Sequence, residues 1–124
     1  MPRVVHFEVY ADDMDRASKF YGDVFGWSVT KIELDGGAAY WLIDTGEEPA
    51  EGINGGMMPR PTPEAINTVV LDVSSVDEYV EKITEGGGTV LVPKFAVPGV
   101  GYAAYFNDTE GNPFGIFEDN NEAA

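Results

Sequence analysis

The chain contains no cysteine. Disulfides, thiolate nucleophiles and cysteine-ligated zinc or iron–sulfur centres are therefore excluded. Basic residues are also few, because 7 Lys and Arg stand against 22 Asp and Glu, which gives a net charge of −15. A negative field of this kind repels phosphate backbones and anionic lipid, so nucleic acids and membrane surfaces are poor partners. The apolar content of 44% nevertheless favours a folded domain over a disordered chain.

No long apolar run is present either. A transmembrane helix requires about 18 or more consecutive apolar residues, and no segment of the chain approaches that length. The opening residues MPRVVHFEVYADD do not contain an apolar core followed by small residues, so they do not predict a signal peptide. Phosphate-binding and dinucleotide-binding glycine patterns are also missing. We therefore expect an acidic cytoplasmic protein that binds neither nucleic acid nor membrane.

What the sequence does contain is an internal repeat. Residues 7–29 can be laid over residues 69–91, so that Gly26 meets Gly88. Each copy reads as a strand, a polar helix cap, an amphipathic helix, a glycine turn and a second strand. Two copies are too few for a solenoid, and they indicate one domain with internal pseudo-symmetry.

Each half continues with two further strands, and this order predicts the α+β fold class. We expect a first βαβββ module over residues 1–60 and a second over residues 61–124, which together form one domain. The two halves are predicted to pair into a curved, half-open sheet of eight strands around a cavity. In the second half, the pattern predicts a strand at residues 89–93 and a loop at residues 94–101.

The first strand has two different faces. Side chains alternate along a strand, so Val5, Phe7 and Val9 share the face that the helix is expected to cover. His6 and Glu8 share the opposite face, which would line the cavity. A concave apolar wall with a few polar groups is where ligand binding is expected.

Three segments of the chain resemble one known family. They are VVHFEVYADDMDRASKFYGDVFGW at the start, GGMMPR at the end of the first half, and PGVGYAAYFNDTEGNPFGIFE near the C-terminus. These segments are similar to the vicinal oxygen chelate superfamily, which includes glyoxalase I, bleomycin-resistance proteins and extradiol dioxygenases. The resemblance implies paired βαβββ modules, commonly a homodimer and, in the family's enzymes, a divalent metal in the concave cavity. Unpaired outer strands in a monomer would also favour a homodimer.

The resemblance carries the family's metal-ligand positions onto this chain residue by residue. They fall on His6, Gly55, Thr68 and Gly115, and only His6 has the chemistry of a metal ligand. A tight site needs three or four donors from histidine, carboxylate or thiolate groups. The resemblance therefore implies a degenerate site, and we expect no metal or other cofactor unless residues such as Glu51 supply further donors.

Aromatic and polar residues of the strands are the remaining candidates for ligand binding. Aromatic side chains suit stacking against a flat or apolar ligand, although they also fill cores. The candidate ligand-binding residues are His6, Glu8, Trp41, Gly55, Thr68, Tyr105, Gly115 and Phe117. His6 could be a hydrogen-bonding wall residue, a metal ligand or a general acid or base, and Glu8 could orient it.

Three functions remain open. The chain could bind a small, partly apolar or aromatic molecule without a metal, as drug-sequestering members of the family do. It could be a glyoxalase- or isomerase-like lyase that uses His6 and Glu8 as catalytic groups, with or without a divalent metal. It could also fill its cavity with its own side chains and serve in dimerisation or regulation. The first function needs only a shaped cavity, and it is the one we expect.

Overall fold

A computed structural model describes residues 1–34, 39–48 and 51–124. The hairpin turn that the sequence suggests at residues 35–37 lies outside the described residues. The elements in chain order are β1 (Arg3–Ala11), α1 (Met14–Phe25), β2 (Ser28–Glu33), β3 (Ala39–Asp44), β4 (Gly55–Pro59), β5 (Thr68–Asp72), α2 (Val76–Glu85), β6 (Thr89–Val97), β7 (Gly101–Asn107) and β8 (Pro113–Asp119). The βαβββ order therefore occurs twice, and the predicted α+β fold class is confirmed.

The described chain divides into two compact units. One consists of residues 6–67, and the other consists of residues 1–5 together with residues 68–124. In the first unit the strand order is β2-β3-β4-β1, with β1 and β4 parallel and the other pairs antiparallel. In the second unit the order is β5-β8-β7-β6, with β5 and β8 parallel and the other pairs antiparallel. No helix among the described residues is long and apolar enough to cross a bilayer.

Both helices begin at capping side chains that the sequence contains. The Asp13 carboxylate accepts a hydrogen bond from the backbone N–H of Arg16 at 2.9 Å, and the Ser75 hydroxyl accepts one from the N–H of Glu78 at 3.2 Å. Such bonds satisfy backbone donors that the first helical turn leaves without partners. Helix α1 ends at Gly26, whose φ of 75° is a left-handed conformation that glycine adopts without a steric penalty.

Helix α1 covers one face of the first unit's sheet. The buried core residues there are Val9, Ala11, Ile43 and Met57, with Phe7, Met14, Ala17, Tyr21, Trp27, Val29 and Trp41 packed against them. The predicted helix-facing side of β1 is therefore confirmed for Phe7 and Val9. It is wrong for Val5, which is 47% exposed. The reason is register, because the pairing of β1 with β4 begins only at Phe7.

Helix α2 covers the sheet of the second unit in the same way. The buried core residues are Val73, Val76, Ala104 and Ile116, with Leu71, Tyr79, Val80, Ile83, Tyr102 and Phe106 packed against them. Alternation along β5 predicts a helix-facing side of Val69, Leu71 and Val73, and of these Leu71 and Val73 belong to this core. Strand alternation leaves Thr68 and Val70 on the opposite face of β5.

Strand β6 is longer than the sequence indicates. The predicted loop at residues 94–101 is wrong in its first part, because β6 continues to Val97 and pairs there with Gly101 of β7. Pro93 misleads the sequence analysis, since proline has no N–H to donate and is avoided in central strands. Here Pro93 lies in the outermost strand of its unit, and the register with β7 shifts between Val92 and Phe95, the interval that contains Pro93. An edge strand with an irregular register tolerates the missing donor.

Met57 and Met58 are neighbours on β4 that test the assignment of the two sheet faces. Met57 is fully buried under α1, whereas Met58 is half-buried on the opposite face. We expect Met57→Ala to lower the free energy of unfolding by about 2–5 kcal/mol, as truncation of a fully buried side chain does. We expect Met58→Ala to cost about 1 kcal/mol or less. Urea denaturation of the two variants measures this, and equal or reversed losses would contradict the assignment.

Candidate functional site

The side chains of the first unit that could act on a ligand lie mostly on the sheet face opposite α1. Residues that pair across adjacent strands share a face, and in the register Glu8 pairs with Gly56, Tyr10 with Met58 and Ile32 with Tyr40. Leu42 lies on this face too, because it pairs with Gly56 on the other side of β4. The face thus combines apolar and aromatic side chains with the histidine and carboxylate of β1, and it carries Thr30, Ser28 and Asp44 on its outer strands.

His6, Tyr40 and Glu8 form a chain of hydrogen bonds on this face. His6 Nε2 lies 2.8 Å from the Tyr40 hydroxyl oxygen, and the Tyr40 hydroxyl donates to Glu8 Oε2 at 3.0 Å. The rings of His6 and Tyr40 are also nearly parallel, with 20° between their planes. Glu8 is only 4% exposed, so its carboxylate is held inside the protein. Burial of a carboxylate is costly unless it is hydrogen-bonded, and the Tyr40 phenol supplies such a bond.

Glycine on β4 makes room for this arrangement. A Cβ atom at Gly56 would overlap the hydroxyl end of Tyr40, and a Cβ atom at Gly55 would lie 2.6 Å from the Phe7 ring. The paired glycines of the GGMMP segment therefore allow aromatic rings to approach the strand backbone. These glycines are therefore positions of close packing between an aromatic ring and the strand.

Tyr40 is the residue of the site that the sequence analysis did not single out. It belongs to the strand Ala39–Asp44, and alternation on that strand does place it on the same face as Leu42. What the sequence does not reveal is the register of β3 against β4, which brings Tyr40 next to Gly56. The signal that the sequence does carry is that Tyr40 is one of the aromatic residues in its predicted strands.

The environment shifts the pKa values of all three aromatic titratable groups on this face. Burial lowers the pKa of His6 below its ordinary 6.5, and the negative charge of Glu8 partly opposes this shift. Burial and the charge of Glu8 raise the pKa of Tyr10 to about 12. Burial, the charge of Glu8 and the hydrogen bond to Glu8 raise the pKa of Tyr40 still further. At neutral pH the imidazole is therefore uncharged and both phenols keep their protons.

Two of the predicted site residues in this unit lie apart from the His6 chain. Trp41 belongs to the core under α1, where the Lys31 ammonium lies 5.5 Å from its ring centroid. Gly55 lies in the register opposite Phe7, whose ring faces that same core. The structure therefore brings His6 and Glu8 together but leaves Trp41 on the opposite face of the sheet.

In the second unit, Tyr105 and Gly115 lie next to each other. They pair directly between β7 and β8, and a Cβ atom at Gly115 would come within 3.0 Å of the Tyr105 ring. Tyr105 also stacks with Phe95, with 6.2 Å between the ring centroids. These residues form an aromatic surface on the face that carries Val70.

Phe117 and Thr68 of the second unit are held by local contacts. A Cβ atom at Gly101 would lie 2.5 Å from the Phe117 ring, so this ring also lies against a glycine. The buried Thr68 hydroxyl donates to the backbone carbonyl of Pro113 at 2.7 Å. Thr68 thus ties β5 to the first residue of β8. Among the described residues, no group of three or more His, Asp and Glu side chains is arranged to hold a metal ion.

Comparison with known proteins bears out the family resemblance. The family model that matches is that of the Glyoxalase/Bleomycin resistance protein/Dioxygenase superfamily, and its match spans residues 3–116. A glyoxylase-like domain-containing protein of Didymella fabae is 30% identical over 115 residues, which cover 88% of this chain and 88% of that protein. CFP32 of Mycobacterium bovis, which is named as a glyoxylase, is 30% identical over 119 residues. These cover 91% of this chain but 44% of CFP32, so the chain spans less than half the length of that relative.

Solved structures of methylmalonyl-CoA epimerases share the fold. The enzyme from Mycobacterium tuberculosis has a TM-score of 0.68 at 14% identity, covering 94% of this chain and 87% of that one. The Streptomyces coelicolor enzyme in complex with 2-nitronate-propionyl-CoA also has a TM-score of 0.68, at 13% identity, covering 98% of this chain and 97% of that one. At such low identity the likeness shows the fold alone.

The single histidine of the chain makes the site directly measurable. An NMR titration of the imidazole should give a pKa below 6.5, and Glu8→Gln should lower it further because the carboxylate raises it. The matched control Glu33→Gln removes a charge from the exposed end of β2 and should leave the His6 pKa unchanged. A His6 pKa at or above 6.5 in the native protein would contradict the burial of the ring.

The same shift has a consequence for stability. A lowered pKa in the folded state means that His6 contributes stability above pH 6.5. As the pH falls from 6.5 through the lowered folded value, the unfolded chain takes up the proton first and this contribution is lost. Urea denaturation should therefore show that the free energy of unfolding falls as the pH is lowered through this interval. The His6→Ala variant should lack this contribution to the fall.

Proposed function

Because the chain belongs to the Glyoxalase/Bleomycin resistance protein/Dioxygenase superfamily, we propose that it binds a small, partly apolar or aromatic molecule. The binding surface is the sheet face that carries His6, Tyr40 and Glu8. One observation carries this proposal, namely the hydrogen-bonded chain of these three residues, with a buried carboxylate, on a face that also carries apolar and aromatic side chains. A homodimer, which the family resemblance implies, is part of the proposal.

Stabilisation of the fold alone is a poor explanation of the hydrogen-bonded chain of His6, Tyr40 and Glu8. A buried ion costs several kcal/mol of solvation free energy, and apolar side chains of the same volume would often stabilise a core at least as well. Titratable groups whose pKa values are perturbed by burial, as those of His6 and Tyr10 are here, concentrate at functional sites. Ligand sites typically combine an apolar surface with a few convergent polar groups. The partly exposed side chains of Leu42, Met58 and Tyr10 supply that apolar surface around His6.

The residues present do not fit the divalent metal that the family's enzymes hold. Three of the four inherited ligand positions are Gly55, Thr68 and Gly115, and the Thr68 hydroxyl is already bound to a backbone carbonyl. His6 Nε2 and Glu8 Oε2 both contact the Tyr40 hydroxyl instead of pointing at a common open position. We therefore propose metal-free binding.

A glyoxalase- or isomerase-like lyase is the second candidate. The lowered pKa of His6 favours it, because an imidazole that is uncharged at neutral pH can accept a proton from a substrate. Glu8 would act through Tyr40 to stabilise the resulting imidazolium. The methylmalonyl-CoA epimerases that share the fold suggest a CoA thioester as the first substrate to assay. Turnover that is lost in His6→Ala would favour this candidate over binding alone.

Ligand binding is tested by a thermal-shift screen with neutral and charged aromatic compounds. A compound at 100 times its Kd stabilises the folded state by about 2.7 kcal/mol. We expect at least one compound to raise the melting temperature of the native protein but not of His6→Ala or Tyr40→Phe. Tyr21→Phe makes the same chemical change as Tyr40→Phe on the helix side of the sheet, so it should keep the response. Shifts that persist in both site variants would place the ligand elsewhere.

Metal content is tested on protein purified without added metal or chelator. We expect elemental analysis to find far less than one nickel, zinc, manganese or iron ion per chain, because three ligand positions lack donors. Treatment with a chelator should leave the melting temperature unchanged. A stoichiometric metal, or a melting temperature that falls with chelator and recovers with metal, would overturn the metal-free proposal.

A further inference from the structure

The direction of the hydrogen bonds determines what His6 offers to a ligand. Tyr40 has a single hydroxyl proton, and it donates that proton to the Glu8 carboxylate. The phenol oxygen can then only accept from His6, so the proton of the uncharged imidazole is on Nε2. Nδ1 consequently carries a lone pair and is a hydrogen-bond acceptor.

The charge near His6 is negative. Glu8 is buried on this face, and its charge raises the pKa values of both neighbouring phenols, Tyr10 and Tyr40. Two cationic side chains of the same unit, Lys31 and Arg60, are engaged at other places. Lys31 lies over the Trp41 ring on the helix side. A negatively charged group that approached His6 would therefore meet a buried carboxylate.

Arg60 is also bound to other groups of the protein. Its guanidinium binds the Asp12 carboxylate at 3.2 Å and the carbonyl oxygens of Ala65 and Tyr10 at 2.6 Å and 3.3 Å. These bonds hold the segment that follows β4 against the end of β1. Arg60 is thus committed to the backbone and does not supply a counter-ion for an anionic ligand at His6.

We propose that this site selects a ligand that presents a hydrogen-bond donor to His6 Nδ1 and carries no negative charge at that point. The proposal rests on the proposed function and narrows its ligand class to uncharged or cationic donors such as amides, alcohols and amines. Carboxylate ligands are disfavoured for two reasons. Their negative charge is repelled by Glu8, and their oxygens are hydrogen-bond acceptors that cannot donate to His6 Nδ1. The apolar side chains around the site would hold the rest of the molecule.

Three probes of similar shape separate charge from donor capacity. Benzamide is uncharged and has N–H donors, methyl benzoate is uncharged without a donor, and benzoate is an anion without a donor. Binding is followed by the two imidazole ¹⁵N signals of His6, which belong to the chain's single histidine and distinguish its tautomers. One well-made hydrogen bond corresponds to about a tenfold change in Kd.

We expect the free protein above pH 7 to show a protonated Nε2 and an unprotonated Nδ1. Benzamide should shift the Nδ1 signal with a Kd about tenfold lower than that of methyl benzoate. Benzoate should bind more weakly than methyl benzoate, and Glu8→Gln should bring these two Kd values closer together. Tyr21→Phe should change none of these values, since it lies on the helix side of the sheet.

The outcomes that overturn the inference differ from those that overturn the proposed function. A proton on Nδ1 in the free protein, or benzoate binding as tightly as benzamide, would refute the ligand class and leave small-molecule binding intact. If none of the three probes moves the His6 signals at saturating concentration, both the ligand class and the proposed site fall.

Discussion

The site depends on the insertion of one phenol ring beside a strand position that carries no side chain. Tyr40 reaches both His6 and Glu8 because Gly56 leaves the space that any Cβ atom would occupy. If the phenol were displaced, Glu8 would lose a donor to its buried carboxylate. A hydrogen bond to a charged group typically contributes about 1.5–3 kcal/mol. The position of the His6 imidazole is tied to this contact, because its Nε2 lies 2.8 Å from the Tyr40 hydroxyl.

Packing of an aromatic ring against a glycine of a strand occurs in both units. Phe7 lies against Gly55 in the first unit, and in the second unit Tyr105 lies against Gly115 and Phe117 against Gly101. Gly55 and Gly115 are also positions where the family resemblance expects metal donors. In this chain the rings of Phe7 and Tyr105 lie where a side chain at these two positions would begin. The recurrence explains how glycine-rich strands keep their packing.

Much of the fold could be predicted because it depends on local patterns. Asp13 and Ser75 cap the helices, and alternation along β1 correctly assigned Phe7 and Val9 to the helix side. The errors arose where pairing decides the outcome. Val5 is exposed because the β4 register begins after it, and β6 continues past Pro93 because it is an outermost strand. Neither fact is encoded in the neighbouring residues alone.

The sequence by itself determined the α+β class, the acidic charge, the absence of thiol chemistry and the presence of His6 and Glu8 on one strand face. These properties follow from composition and from the period of side chains along a strand. Only the tertiary structure decided that Tyr40 joins those two residues, although it lies 34 positions from His6 and 32 from Glu8. Burial, cross-strand register and the space above a glycine exist only in the folded chain. They lower the pKa of His6 and place its Nε2 against the Tyr40 hydroxyl.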